Sequence, residues 1–207
     1  MKGYIFDLDG VLVDTAKYHY IAWKTIAKEF NFELTPQHNE QLKGIGREVS
    51  LHQILQWAGK TLSETDFTDT ALRKNKLYLE QISSIDSSEL LPGVLNFLQL
   101  LKAHHKKIAL GSASRNARLV LERTGILPLF DAIVDGTMVS KAKPDPEVFL
   151  KAAESLGLPP ADCCVFEDAP AGVQAAKSAG MKVIGVGNPE VLKAADTVIP
   201  NFLKMKI

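Results

Sequence analysis

The sequence predicts an α/β protein built on a parallel sheet, with a block of helices inserted after the first strand. Three observations predict it. A short apolar run at the N-terminus, Gly3-Tyr4-Ile5-Phe6, breaks at Asp7-Leu8-Asp9-Gly10. Helix-period hydrophobicity then runs from Thr15 to Ile82 without a convincing strand. After Pro92, strand-like and helical segments alternate, the pattern of a parallel α/β sheet.

The first run is apolar throughout and too short for a helix, which suits a buried strand ending in a polar loop. In the helical block Tyr20, Trp23, Ala27 and Phe30 recur at helix spacing, and Thr35-Pro36 and Ser63-Glu64 read as helix starts. Further strands are expected at Lys107 to Gly111, Ala132 to Val134, Cys164 to Phe166 and Lys182 to Val186. Gly157 and Gly180 each stop an amphipathic run, and Asp145-Pro146 opens another helix. The expected organisation is a Rossmann-like parallel sheet core with helices on both faces, formed by residues 1–14 and 85–207, plus an inserted all-helical cap domain formed by residues 15–84. No internal repeat or low-complexity tract interrupts it.

Composition limits the function. A chain of 207 residues with 46% hydrophobic content can bury a sizeable core. Lys plus Arg and Asp plus Glu each number 24, so there is no net basic field for nucleic acid or an anionic membrane surface, and an anionic ligand must be held by local groups. The two cysteines, Cys163 and Cys164, are adjacent, which disfavours a structural disulfide or a zinc site and suits a reducing cytoplasm. The N-terminus has no signal-peptide pattern and no apolar run has transmembrane length, so a cytoplasmic protein is expected, with a monomer as the default.

Four segments carry the chemistry. Asp7 and Asp9, two apart at a strand end, would point to one side at the carboxyl edge where open parallel sheets bind ligands. Ser112-Ala113-Ser114 follows a strand and precedes a helix, so hydroxyls and free N–H groups can converge on an anion. Lys143-Pro144 lies just before the Asp145-Pro146 helix start, where a lysine can reach the sheet edge as a phosphate counter-charge. Glu167-Asp168 follows another strand and offers two more oxygen ligands at the same edge. Alone, each also reads as an ordinary turn, helix cap, solvated lysine or loop. Their order along the chain gives them weight together.

On Asp7-Leu8-Asp9-Gly10-Val11, Ser112, Lys143 and Glu167-Asp168 the chain resembles the haloacid dehalogenase-like superfamily of phosphotransferases, over essentially its whole length. The resemblance implies Asp7 as nucleophile, Asp9 as the group that moves the proton, and Ser112 and Lys143 on the phosphoryl oxygens. It also implies Mg²⁺ held by Asp7, Asp168, the backbone carbonyl of Asp9, and Glu167 through water. That metal suits the problem, because unlike-charge compensation is needed when a carboxylate attacks a phosphate. Two unit charges near 4 Å repel by about 4 kcal/mol at an effective dielectric near 20.

Within the insertion the chain is similar to the β-phosphoglucomutase family. The similarity rests on Thr15, His19 and Trp23, on Leu42-Lys43-Gly44-Ile45-Gly46-Arg47 with Ser50, on Arg73-Lys74-Asn75, and on Gly111-Ser112-Ala113-Ser114-Arg115-Asn116 in the core. It implies that Thr15, His19, Trp23, Leu42, Gly44, Arg47, Ser50 and Lys74, with Ala113, Ser114 and Asn116, bind a sugar phosphate. It also implies β-glucose 1,6-bisphosphate as activator and intermediate. Trp23 reads equally as core packing or sugar stacking, and His19 as a surface histidine or as a link between cap closure and Asp9. Gly46 departs from the family loop, which usually has serine there. Glu167-Asp168-Ala169-Pro170-Ala171-Gly172 is shared with sugar-phosphate phosphatases. A Mg²⁺-dependent phosphatase of hexose phosphates or other small phosphorylated metabolites therefore stands as the alternative, and a silent binding module as a third reading. His38, His52, His104 and His105 have no metal-ligand spacing.

Overall fold

A computed structural model describes residues 1–207. The first strand, β1 (Gly3–Phe6), is followed by four helices, α1 (Ala16–Glu29), α2 (Pro36–Leu42), α3 (Arg47–Ala58) and α4 (Glu64–Gln81). Two short 3₁₀ turns then lead to α5 (Val94–Ala103) and β2 (Lys107–Gly111). After them come α6 (Ala117–Arg123), β3 (Ala132–Val134), α7 (Glu147–Ser155), β4 (Cys163–Glu167), α8 (Pro170–Ser178), β5 (Lys182–Val186) and β6 (Thr197–Ile199). All pairings in the sheet are parallel, in the order β3-β2-β1-β4-β5-β6. No helix is long and apolar enough to cross a membrane.

The strand alternation sorts side chains onto two faces. Tyr4, Phe6, Ile108, Leu110, Cys164 and Phe166 pack on one face against α5 and α6. Ile5, Ala109, Cys163, Val165 and Val183 pack on the other against α7 and α8. Phe6 and Phe166 stack at 4.7 Å with nearly parallel rings, and Phe97 and Phe202 close over them. The inserted helices keep a separate core of Trp23, Ile26, Leu34, Leu51 and Ile54. They start as expected. The Thr35 hydroxyl accepts from the His38 N–H in a capping box, and Ser63 accepts from Asp66.

The register brings the polar loops level with one another. Phe6 lies opposite both Leu110 and Phe166, the Asp7 N–H donates to the Phe166 carbonyl at 3.0 Å, and the Ser112 N–H donates to Val134 at 3.0 Å. Asp7, Ser112 and Glu167 thus leave the sheet at one edge. Because β1 has β2 on one side and β4 on the other, that edge is the point where the strand order reverses.

Three details differ from the sequence reading. β6 was not foreseen, because a three-residue edge strand with one exposed residue carries little periodic signal. β4 extends one residue beyond the expected strand at each end. The expected helix at Asp145-Pro146 starts one residue later, with Asp145 Oδ1 accepting from the Glu147 N–H at 3.0 Å.

The chain end is tied down at Gly93. This residue has φ +86°, and an added Cβ would sit 2.5 Å from the Phe202 carbonyl carbon and the Leu203 nitrogen. Both the left-handed backbone and the contact with fixed main chain oppose a side chain. Gly93→Ala is expected to lower unfolding free energy by about 2 kcal/mol or more, read from urea denaturation. An unchanged midpoint would show that the terminal segment moves aside freely.

Candidate active site

The reversal edge gathers three carboxylates around one ammonium. Lys143 Nζ donates to Asp7 Oδ1 at 2.7 Å and to Glu167 Oε1 at 2.5 Å, and its side chain is 1% exposed. The other oxygen of Glu167 accepts from the Ala169 N–H at 2.9 Å, so Glu167 is committed on both oxygens. Asp168 reaches the same place over Gly10, whose φ is +78° and whose missing Cβ would overlap Asp168 Oδ2 at 2.1 Å. Glycine is required there because the carboxylate occupies the space a side chain would fill.

This arrangement leaves the site short of positive charge. Burial would depress Lys143, but the charges of Asp7 and Glu167 outweigh it and hold the ammonium above its ordinary range. Burial pushes the Asp7 carboxyl up to about 7; Lys143 opposes the rise, while Glu167 and Asp9 add to it. Burial, followed by the charges of Glu167 and Asp7, drives Asp168 well above the usual carboxylate range. One buried lysine, with Lys43 acting on Asp168 from the roof, leaves two buried carboxylates and a half-buried one short of positive charge. Oxygens of Asp7, Glu167 and Asp168 lie within 4.8 Å of one another, and an all-oxygen set with excess negative charge fits a hard divalent cation such as Mg²⁺. With Glu167 already engaged, Asp7 and Asp168 are the carboxylates best placed to hold one directly.

Asp9 lives in a different environment. Its Oδ1 accepts from the Thr15 hydroxyl and faces His19 Nε2 at 3.5 Å. Burial would raise its pKa, but His19, the Thr15 hydroxyl and Lys74 outweigh that and hold it below the ordinary value. The two aspartates of one loop are therefore pushed in opposite directions, the arrangement that lets neighbouring carboxyls take different roles.

The inserted helices roof this edge. The cleft between them measures about 790 Å³ including its open mouth. Asp7, Asp9, Asp168, Ser112, Ala113 and Ser114 line its floor, and His19, Trp23, Leu42, Gly44, Ser50 and Lys74 line the roof. Arg47 and Asn116 also line it. Lys74, though 3% exposed, donates to His19 Nδ1 at 2.7 Å and lies 4.7 Å from the centre of the Trp23 ring. Burial, with Arg47 nearby, lowers its pKa to about 7. Trp23 packs in the helical core and also lines the cleft.

Not every expected residue reaches the cleft. Thr15 is fully buried behind Asp9, and Lys143 and Glu167 lie beneath Asp7, so none of the three lines the open cleft: Thr15 bonds Asp9, Lys143 bonds Asp7, and Glu167 holds Lys143. Ser50 lines the cleft but donates its hydroxyl to the Gly46 carbonyl at 3.0 Å. Gly46 has room for a side chain, since an added Cβ would meet Ala142 only at 3.8 Å. The sequence reading did not single out four polar lining residues: Asn39, Lys43, Asn75 and Arg115. Lys43, Asn75 and Arg115 lay inside segments already quoted, and their signal was adjacency to Leu42, Lys74 and Asn116. In the fold Asn116 donates to Asn75 Oδ1 at 2.8 Å, and Arg115 pairs with Glu48 at 3.2 Å, joining the loop after β2 to the inserted helices.

Chemically, the floor offers a nucleophilic carboxylate beside a fixed ammonium and a serine hydroxyl, with a second carboxylate placed to move a proton. The roof offers two further cations, Arg47 and Lys74, joined by Arg115 from the loop after β2, while Lys43 faces Asp168 closely enough to oppose its rise. A ligand with negative charge at both ends matches this layout.

Comparison with known proteins agrees with the geometry. A family model described as haloacid dehalogenase-like hydrolase matches residues 1–180. The chain is 47% identical over 201 residues to a β-phosphoglucomutase of Bacillus subtilis, covering 96% of this chain and 89% of the relative. It is 32% identical over 188 residues to a fructose-1-phosphate phosphatase of Escherichia coli, covering 89% of this chain and 95% of the relative. Among solved structures, a β-phosphoglucomutase from Clostridium difficile superposes with a TM-score of 0.97 at 42% identity, covering 100% of this chain and 94% of that one.

The raised pKa values of Asp7 and Asp168 have a consequence for the metal-free protein. Between about pH 4 and 7 the folded state retains protons that the unfolded chain has released, so stability falls as pH rises through that window. Added Mg²⁺ is expected to raise the melting temperature, by more at pH 8 than at pH 5. The gain should be largely lost in Asp168→Asn. A gain independent of pH and of Asp168 would place the cation elsewhere.

Proposed function

The chain belongs to the haloacid dehalogenase-like hydrolases, and from that premise we propose that it is a β-phosphoglucomutase, interconverting β-D-glucose 1-phosphate and D-glucose 6-phosphate by phosphoryl transfer through Asp7. The observation that carries the reading is the two-ended cleft. Asp7, Ser112 and Lys143 form one anion pole, and Arg47, Lys74 and Arg115 form the other. A simple phosphomonoesterase needs only the first. A mutase must hold a phosphate at each end of one sugar and accept that sugar in either direction. The 47% identity to the Bacillus subtilis β-phosphoglucomutase supports the same conclusion.

The chemistry follows from the residues. Asp7 attacks phosphorus, the bond to the sugar oxygen breaks, and an aspartyl-phosphate forms. Asp9, kept ionised by its neighbours when no proton is needed, delivers a proton to the departing oxygen and takes one from the hydroxyl that attacks in the reverse sense. Lys143 and Ser112 hold phosphoryl oxygens, and Glu167 keeps Lys143 in place. Asp7, Asp168 and the Asp9 main-chain carbonyl would hold Mg²⁺, which would supply the positive charge that offsets repulsion between carboxylate and phosphate.

In the forward cycle, phosphorylated Asp7 gives its phosphoryl group to O6 of β-glucose 1-phosphate. The resulting β-glucose 1,6-bisphosphate reverses in the cleft, and Asp7 recovers the anomeric phosphate to leave glucose 6-phosphate. The same bisphosphate would act as primer. The roof makes transfer to sugar competitive with transfer to water, since a well-oriented hydroxyl reaches an effective molarity of about 10⁵ M or more against water at tens of molar. The reading includes a monomer in the cytoplasm, the latter supported by two free, buried thiols. The 32% identity to a fructose-1-phosphate phosphatase supports the alternative, a sugar-phosphate phosphatase using the same nucleophile.

Both readings separate in one sample containing protein, Mg²⁺, β-glucose 1-phosphate and a trace of bisphosphate, assayed for glucose 6-phosphate and inorganic phosphate. Glucose 6-phosphate with little free phosphate is expected; free glucose and phosphate in equal amounts would make the protein a phosphatase. Lys74→Ala should raise KM for the sugar phosphate and increase the share of phosphate released. Asp9→Asn should lower kcat by roughly 10² to 10⁴ with little change in substrate binding, and an unchanged kcat would remove its role as proton carrier.

A further inference from the structure

Two buried polar side-chain atoms of the molecule meet no hydrogen-bond partner, His19 Nε2 and the Tyr78 hydroxyl. Both belong to one ring stack beside Asp9, with centroids 4.0 Å apart and planes 22° from parallel. His19 Nε2 has Asp9 facing it at 3.5 Å. Tyr78 has no such answer. It is fully buried, and phenylalanine would fill the same space, stack on the same imidazole and lie under the same Lys74 ammonium, 5.1 Å from the ring centre. A buried hydroxyl without a partner opposes folding, so its presence needs a second arrangement in which it is satisfied.

The neighbours narrow that arrangement. Thr15 lies close enough to the Tyr78 hydroxyl to influence its ionisation, and Asp9 acts on it through its charge, although burial is the main cause of its raised pKa. Thr15 heads α1, where a threonine side chain usually accepts from the first turn, yet it makes no cap bond and donates to Asp9 instead. A hydroxyl that donates one hydrogen bond still has lone pairs to accept another.

We propose that Tyr78 is a positioning residue for Asp9: its hydroxyl donates to Thr15 Oγ1, Thr15 donates to Asp9, and this relay holds the proton-carrying carboxylate during transfer. Tyr78 touches neither sugar nor phosphate and acts only through Thr15. Successive hydrogen bonds polarise one another, so the outer one strengthens the inner. The inference rests on the reading of Asp9 as proton carrier given above.

Tyr78→Phe, Thr15→Val and the double variant test it, each with Mg²⁺ and each measured for glucose 6-phosphate formation and melting temperature. Tyr78→Phe is expected to melt at or above the wild-type temperature, to lose about three- to tenfold in kcat with KM nearly unchanged, and to have no further effect when Thr15 is already valine. A fall in melting temperature with kcat unmoved would make Tyr78 a packing residue and overturn the relay. So would an equal loss in both backgrounds. Should the wild-type protein fail to convert β-glucose 1-phosphate, the functional reading falls. The relay is then judged by hydrolysis of acetyl phosphate, which uses Asp7 and Asp9 without a sugar. The same non-additivity is required there, and additive losses overturn it.

Discussion

The end of β1 carries more buried negative charge than the protein itself neutralises, and much of the structure follows from that imbalance. Asp7, Glu167 and Asp168 crowd one ammonium, Lys143, in a place shielded from water. A buried charge without a partner is strongly unfavourable, so the two fully buried carboxylates are tied down, Glu167 by Lys143 and a backbone N–H and Asp7 by Lys143, while half-buried Asp168 keeps no such partner. What is left over is an attraction for a cation and, through it, for a phosphoryl group. The site is thus under-neutralised by construction, a layout that suits a bound cation.

Such a site needs a rigid support. The stacked Phe6 and Phe166 lie immediately before Asp7 and Glu167, so aromatic packing on one face of the sheet fixes the level at which the two carboxylates emerge. Asp9 sits one step farther along, where Thr15 and His19 belong to the inserted helices rather than to the sheet. Asp7 is therefore fixed by the core, and Asp9 is held by contacts that cross to the roof. Small movements of the roof reach Asp9 more readily than Asp7.

Much of this was legible in the sequence. A wholly apolar run ending in Asp-x-Asp, and strand signals each followed by a polar loop, were enough to place Asp7, Ser112, Lys143 and Glu167 at one edge, because parallel sheets put strand ends level with one another. The inserted helices announced themselves through Thr35-Pro36 and Ser63-Glu64. What was not legible depended on tertiary contact. Lys74 could be named from the family resemblance, but its burial could not, because only packing between α1 and α4 sets it against Trp23 and His19. Thr15 looked like a substrate contact and turned out to lie behind Asp9, a difference of depth that residue spacing does not encode. Arg115 was quoted only as part of its segment, since its reach across to Glu48 depends on the fold, and β6 was too short to show a period.

The place of the insertion also shapes how the chain can fold. Gly3 pairs with Lys107, about a hundred residues away, whereas β4 and β5 pair across one helix, with Cys164 opposite Lys182. Closing the long loop costs more entropy and belongs among the slow, non-local contacts, while the β4–α8–β5 unit is local and can assemble early. A compact helical insertion, with its own core of Trp23, Ile26 and Leu51, brings its two ends together and shortens the effective loop. The central strand that carries Asp7 is then the one whose pairing on both sides depends on closing long loops.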